Sequence, residues 1–379
     1  MAIITPGVLP ASVLVTLERP AWLAQWAEFA CALRYEDLPT EVVERTRLVI
    51  LDCLGAIIAG RGEPEVQAAQ QGFRRTHPGS SYLDAFVGGT AGTSLEIDEG
   101  NQYARGHPGI HVVPAVLASA LSRLVSGREA IVAIVLGYEI GARIGIASKL
   151  RVTMHPHGTW GTVGAAVGIG KLHGATTAEC AEVINVAASL GLTTSRRTML
   201  EGATVRNTYA GFSNMLGMMA WDLVKAGFKG EADGVGSVYG GIAADDWTPG
   251  AMVLDLGTRW EIARNYFKRH AACRYNHGAL DALAKIVAEA GGRIEPADVS
   301  AIKVETYVWA AQLDHPAPQT MLSAKFSMPF SLATFIVNGA ATLDAFRDSA
   351  RNDGVTRSST TTSRPRRAIP SRKRRPPNR

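Results

Sequence analysis

What this 379-residue chain lacks narrows its class first. Its four cysteines, Cys31, Cys53, Cys180 and Cys273, are scattered, with no CxxC pair and no Cys/His ligand spacing. That argues for a reducing compartment and against a metal site held by clustered thiolates. No basic region followed by an apolar run opens the chain, so no signal peptide is read and a cytoplasmic location is expected. The greasiest run, from Ala130 to Ala147, carries Glu139 and Arg143 and reads as a buried helix, not a membrane span. There is no GxxxxGK[S/T], no HExxH and no GxSxG, which removes the common nucleotide, zinc-protease and hydrolase readings. Two near-matches to a dinucleotide loop, Gly168-Gly170-Gly174 and Gly234-Gly236-Gly240, have the wrong last spacing and follow no strand pattern, so a nicotinamide enzyme is not favoured.

The charge is unevenly spread. The chain nets +5, yet residues 351–379 hold ten Lys/Arg against one Asp, so the first 350 residues net −4. The body offers no nucleic-acid surface. The tail, rich in Ser, Thr, Arg and Pro, cannot repay the entropy of ordering and is expected to lack structure. Its abrupt onset fits an interaction segment, a nuclear address, or an unrelated or out-of-frame terminus equally.

What is present is a charged window from Leu95 to Pro114, LEIDEGNQYARGHPGIHVVP, set between Ala/Gly/Val-rich segments. Glu96, Asp98, Glu99, Arg105, His107 and His111 are costly to bury unless paired or used, which points to a site. A solvated connection whose histidines cap helices is the alternative. Around it the spacing predicts helices over 20–33, 40–60, 64–73, 112–124, 128–150, 178–190, 213–224 and 279–290. Ala301 to Trp309 alternates as a half-buried strand. The segment MHPHGTWGTVGAAVGIGKLHG is so rich in Gly and Ala that its helices must pack very closely or its backbone must approach a ligand. The fold class expected is mainly α: a large all-helical domain over 1–265, a smaller α+β lid domain over 266–350, and the basic tail over 351–379. His107, His155 and His157, with Lys268, Arg269, His270, Arg274 and His277, suit proton transfer beside a carboxylate-bearing substrate. No metal is required by this set.

Five fragments in order, GTSLEIDEGN with GHPGIHVVPA, GREAIVAIVLGYEIGARIG, HPHGTWGTVGAA, ACRYNHGALDAL and KFSMPFSLA, resemble the MmgE/PrpD family over about residues 20–345. That family includes 2-methylcitrate dehydratase, cis-aconitate decarboxylase and iminodisuccinate epimerase. The resemblance implies a homodimer with the active site in the cleft between the helical domain and the lid, a small carboxylate substrate, and no metal or organic cofactor. It places catalytic roles on His107, His155 and Lys268, and substrate contacts on Glu96, Asp98, Arg206, Cys273 and His277. The family's acidic motif, typically Asp-Phe-Asp-Asp-Thr, falls on Glu96 to Gly100, so a hydroxyl is missing at Gly100, and the SLPY tyrosine falls on Phe330. The lid is expected to stop short of the family pattern.

The expectation is a metal-independent lyase or isomerase, a hydro-lyase first, acting on a small di- or tricarboxylate in the manner of 2-methylcitrate dehydratase. One of His107 and His155 removes a proton α to a carboxylate, Arg206 and Lys268 stabilise the enolate, and Glu96 and Asp98 support the imidazoles, with Glu96 the partner of His107. His111 is read as structural. A catalytically impaired paralogue or binding protein with a basic interaction tail is the alternative.

Overall fold

The computed structural model describes residues 18–356 and the backbone of 363–367. Its elements run in chain order as helices α1 (Ala21–Ala32), α2 (Thr40–Gly60), α3 (Pro64–Thr76), α4 (Ser81–Ser94), α5 (Pro108–Arg123) and α6 (Gly127–Ala147), strand β1 (Ser148–Leu150), and helices α7 (Gly161–Leu172), α8 (Thr177–Ser189), α9 (Arg197–Glu201) and α10 (Tyr209–Lys225). Strand β2 (Ala244–Trp247), helix α11 (Arg274–Glu289), strand β3 (Ile302–Thr306), helices α12 (Met321–Lys325), α13 (Met328–Asn338) and α14 (Asp348–Asn352), and strand β4 (Ser363–Arg367) complete the list. The fold is mainly α, as the sequence predicts.

Local chemistry accounts for the helix boundaries. Ser126 and Glu129 form a reciprocal capping box at the start of α6, and Thr176 and Glu179 do the same for α8. Helix α6 is long and apolar enough to cross a membrane by length and composition, but it is buried inside the fold. It packs against α7, and α7 against α5 and α10. At the first crossing an added Cβ on Gly137 would lie 2.6 Å from the Gly164 carbonyl oxygen, and one on Gly164 equally close to that of Gly137. The Gly/Ala richness of this segment is therefore what lets two backbones meet.

Helix α5 carries Pro114 in its interior, which removes the N–H that would have bonded Ile110 O. Asn214 on α10 repairs the gap: its Nδ2 donates to Ile110 O at 2.9 Å, and its Oδ1 accepts from Ala115 N–H at 2.8 Å. One buried amide thereby satisfies both sides of the break and ties α5 to α10.

The apolar interior has two parts. One cluster draws on residues 22–262, and the other on Met199 together with Ala271 to Phe346. Between them the sheets are small. Strand β1 pairs antiparallel with β2, and β3 pairs parallel with β4. The tail thus departs from expectation over Ser363–Arg367, which adds a strand to β3. An unpaired strand edge offers N–H and C=O groups to any backbone, so polar and basic residues can pair there without an apolar face. Residues 357–362 and 368–379 of the tail lie outside the described residues.

Candidate active site

Residues 95–107 of the charged window form a loop between α4 and α5, and the rest opens α5. Glu96 turns the chain with φ 55°, and Arg105 with φ 57°, both in the left-handed region that side chains other than glycine rarely adopt. Gly100 forms an antiparallel bridge with Tyr266, with N–H···O distances of 3.0 and 2.8 Å. A Cβ at Gly100 would sit 2.4 Å from the Tyr266 hydroxyl. The missing hydroxyl of the acidic motif is thus tied to a tyrosine standing where a side chain would go.

The loop meets the start of α5, the 155–157 loop, residue 196 and residues of the second apolar cluster across a cleft of about 920 Å3. Glu96, His107, His155, His157, Arg206 and Cys273 line it. Asp98 and Lys268 lie behind this lining with fully buried side chains.

His107 is the N-cap residue of α5, ahead of Pro108. Its Nδ1 is 2.6 Å from Glu99 O and 3.2 Å from Asp98 Oδ2. A carbonyl oxygen only accepts, so Nδ1 carries the proton and Nε2 is the nitrogen left free to take one. Burial alone would raise the Asp98 carboxyl, but the adjoining His107 and Lys268 hold it well below the usual carboxylate range. Asp98 rather than Glu96 is therefore the carboxylate at the imidazole.

Glu96 is bound to the cations. It forms a buried ion pair with Arg206, and Lys268 Nζ donates to its Oε2 at 3.0 Å and to its carbonyl at 3.1 Å. Burial opposes its ionisation, and Arg206 and Lys268 overcome that and keep it a carboxylate. Lys268, expected at the reaction centre, instead sits beneath Glu96 and 3.5 Å from Asp98, because two carboxylates compete for its one ammonium group.

His155 has the opposite tautomer. Its Nδ1 accepts the His157 N–H at 3.1 Å, so its proton resides on Nε2. Burial first, then the charges of Arg206 and Arg196, push its pKa well below 6.5, which keeps the ring neutral. His157, which sequence reasoning names without giving it a role, stacks near His107, His155 and His111 with ring centroids 4.7–4.9 Å apart. It too is held neutral by burial and Arg206. Thr194 Oγ1 clamps this loop through the carbonyls of His155 and His157, at 2.6 and 2.8 Å. His111 is buried against Trp160, and burial pushes it down to about 3, as a structural residue requires.

From the second apolar cluster, Cys273 lines the cleft, but burial pushes its thiol up to about 11, so it is no thiolate. His277, expected to contact substrate, does not line the cleft. One turn into α11 its Nε2 donates to Ala272 O at 3.2 Å and its ring packs on His270, outside the cleft lining. Phe330 is 1% exposed and packs on Phe346 in the second apolar cluster, which explains a phenyl where a phenol was looked for. Arg196 and Tyr266 line the cleft without having been singled out from sequence. Arg196 stands in SRRT beside Arg197, which lies on the surface paired with Glu201, and nothing in the string separates the two. Among the described residues no three His, Cys, Asp or Glu side chains converge as a metal-binding set.

Two family models match the chain. The model of the MmgE/PrpD N-terminal domain matches residues 24–244, and that of the MmgE/PrpD C-terminal domain matches 270–359, beyond where the tail was expected to begin. A cis-aconitate decarboxylase of Aspergillus terreus (strain NIH 2624 / FGSC A1156) is 23% identical over 364 residues, covering 86% of this chain and 74% of its own. Cis-aconitate decarboxylase of Homo sapiens is 26% identical over 355 residues, covering 83% and 70%. With both domain models matched in order over most of its length, the chain belongs to the MmgE/PrpD family.

Proposed function

We propose that the protein is a lyase or isomerase of small di- or tricarboxylates that moves a proton at the carbon α to a carboxylate. The observation that carries this reading is the pair of opposite tautomers facing one cleft: His107 with Nε2 free, His155 with Nε2 protonated. In this mechanism His107 Nε2 takes the α-proton, and Asp98 and the Glu99 carbonyl hold the imidazolium that forms. The charge developing on the substrate carboxylate meets the Nε2–H of neutral His155 and the guanidinium of Arg206, preorganised by Glu96. The Nε2–H of His155 then gives its proton to a leaving hydroxyl, giving dehydration as in 2-methylcitrate dehydratase, or to the opposite face of the carbon, giving epimerisation, while His107 keeps the proton it removed. Decarboxylation uses the same base in its protonated form, to quench the carbanion left by carbon dioxide. Every step uses groups of this chain.

Because its relatives are named as cis-aconitate decarboxylases, cis-aconitate is the first substrate to try, followed by 2-methylcitrate and amino-dicarboxylates. Incubation with each in deuterium oxide, followed by NMR, is expected to give turnover or solvent deuterium at the α-carbon of at least one. Folded protein that does neither with all of them would sink the reading.

A further inference from the structure

The cations just described are already committed. Arg206 is paired with Glu96, and Lys268 with Glu96 and Asp98. Of the other cations at the cleft, Arg151 and Arg105 are exposed, Lys303 is exposed and paired with Glu305, and Arg274 lies half-buried over the Tyr266 ring at 4.8 Å. Arg196 differs from all of these. It is 7% exposed, its Nε and Nη2 have no hydrogen-bond partner, and no carboxylate pairs with it among the described residues.

Its surroundings hold the guanidinium in place without neutralising it. The Trp309 ring lies 4.6 Å and the Tyr275 ring 5.8 Å from its central carbon. Stacking of this kind occupies the face of the planar group and leaves its N–H edge for an acceptor. The backbone is fixed as well. Arg196 N–H donates to Thr153 O at 2.8 Å, His155 N–H donates to Thr194 O at 3.0 Å, and Met154 bridges Ser195. Arg196 and His155 are thus borne on one short paired backbone, so the spacing between the guanidinium and the proton-donating imidazole is set by the fold. A buried guanidinium without a counter-ion is costly, and a planar carboxylate bound in two-pronged fashion is the group that best relieves it.

We propose that Arg196 is the receptor for a second, non-reacting carboxylate of the substrate, gripped between the helical domain and the lid residues Trp309 and Tyr275. This rests on reading the cleft as a carboxylate site, and it narrows the substrate to molecules with at least two carboxylates, the second held apart from the reacting carbon.

The test is ligand-observed NMR titration of the wild type, R196Q, R196K and R197Q with unreactive propane-1,2,3-tricarboxylate and with butyrate. Loss of one charge-assisted contact is expected to weaken the tricarboxylate about tenfold or more in R196Q, and butyrate by no more than about twofold. R196K, which keeps the charge but not the fork, is expected to fall between R196Q and wild type, and R197Q to match wild type. A cooperatively melting R196Q that holds the tricarboxylate as tightly as wild type would overturn the proposal, as would equal weakening of both ligands, which marks a merely structural arginine. Should R196Q fail to fold, R196K decides, since wild-type affinity for the tricarboxylate in that variant overturns it too. Wild-type turnover separates this proposal from the reading beneath it. Tricarboxylate bound through Arg196 with no carboxylate turned over leaves the proposal standing and sinks the function; turnover with tricarboxylate affinity unchanged in R196Q does the reverse.

Discussion

Glu99 links the reacting histidine to the interior. Its carbonyl receives the His107 Nδ1–H, while its side chain accepts from Gly109 N–H at 2.7 Å, the Tyr138 hydroxyl at 3.0 Å and Asn265 at 3.2 Å. Burial outweighs these bonds and pushes its carboxyl from 4.5 up to about 7. Between those two values the native protein keeps a proton that the unfolded chain has released, so this group makes the wild type less stable as pH rises, levelling off above about 7. E99Q has no such proton to lose. The stability difference between variant and wild type is expected to move toward the variant by about 3 kcal/mol between pH 4 and pH 8, read from urea midpoints. A pH-independent difference would mean that Glu99 titrates normally. At this scale the sequence shows which residues gather but not which pairs form. His107 beside Pro108 is legible, because a helix start next to acids is written in the string. That Asp98 takes the imidazole while Glu96 takes Arg206 and Lys268 depends on the left-handed turn at Glu96, which no local pattern announces.

Among the elements, α5 positions His107, and its integrity rests on Asn214. N214L would leave the Ile110 carbonyl and the Ala115 N–H buried without partners, at an expected cost of about 2–5 kcal/mol in a denaturant melt. A loss below about 1 kcal/mol would show that the proline break is tolerated without the amide. A helix with a wide apolar face, such as α2, and one with a capping box, such as α8, are readable within a residue or two. Helix α4 is not, because Gly88, Gly89 and Gly92 depress its propensity and only tertiary packing against α10, α2 and α5 makes it helical. Strand β3 is legible from its alternation, though it ends at Thr306, before Tyr307 and Val308 turn out to solvent. Its partner β4 is hidden in a basic stretch, since backbone pairing leaves no mark in side-chain pattern.

For the molecule as a whole, one cleft is lined from two parts of the chain: His107, His155 and Arg206 from the part that builds the first apolar cluster, Cys273, Tyr275 and Trp309 from the part that builds the second. The mainly helical class was legible from periodicity, and the family from five short fragments in order. A cleft was implied by the family resemblance, but not that Arg196 and Tyr266 line it, because it forms only where segments about a hundred residues apart come together. At its centre stands the assignment of His107 as base and His155 as donor. The measurement that tests it most directly is deuterium incorporation from solvent at the carbon next to the substrate carboxylate, followed by NMR for wild type and a folded H107Q. Wild type is expected to incorporate deuterium, and H107Q to do so about a hundred- to ten-thousandfold more slowly while still binding propane-1,2,3-tricarboxylate. Incorporation by H107Q at the wild-type rate would contradict the assignment.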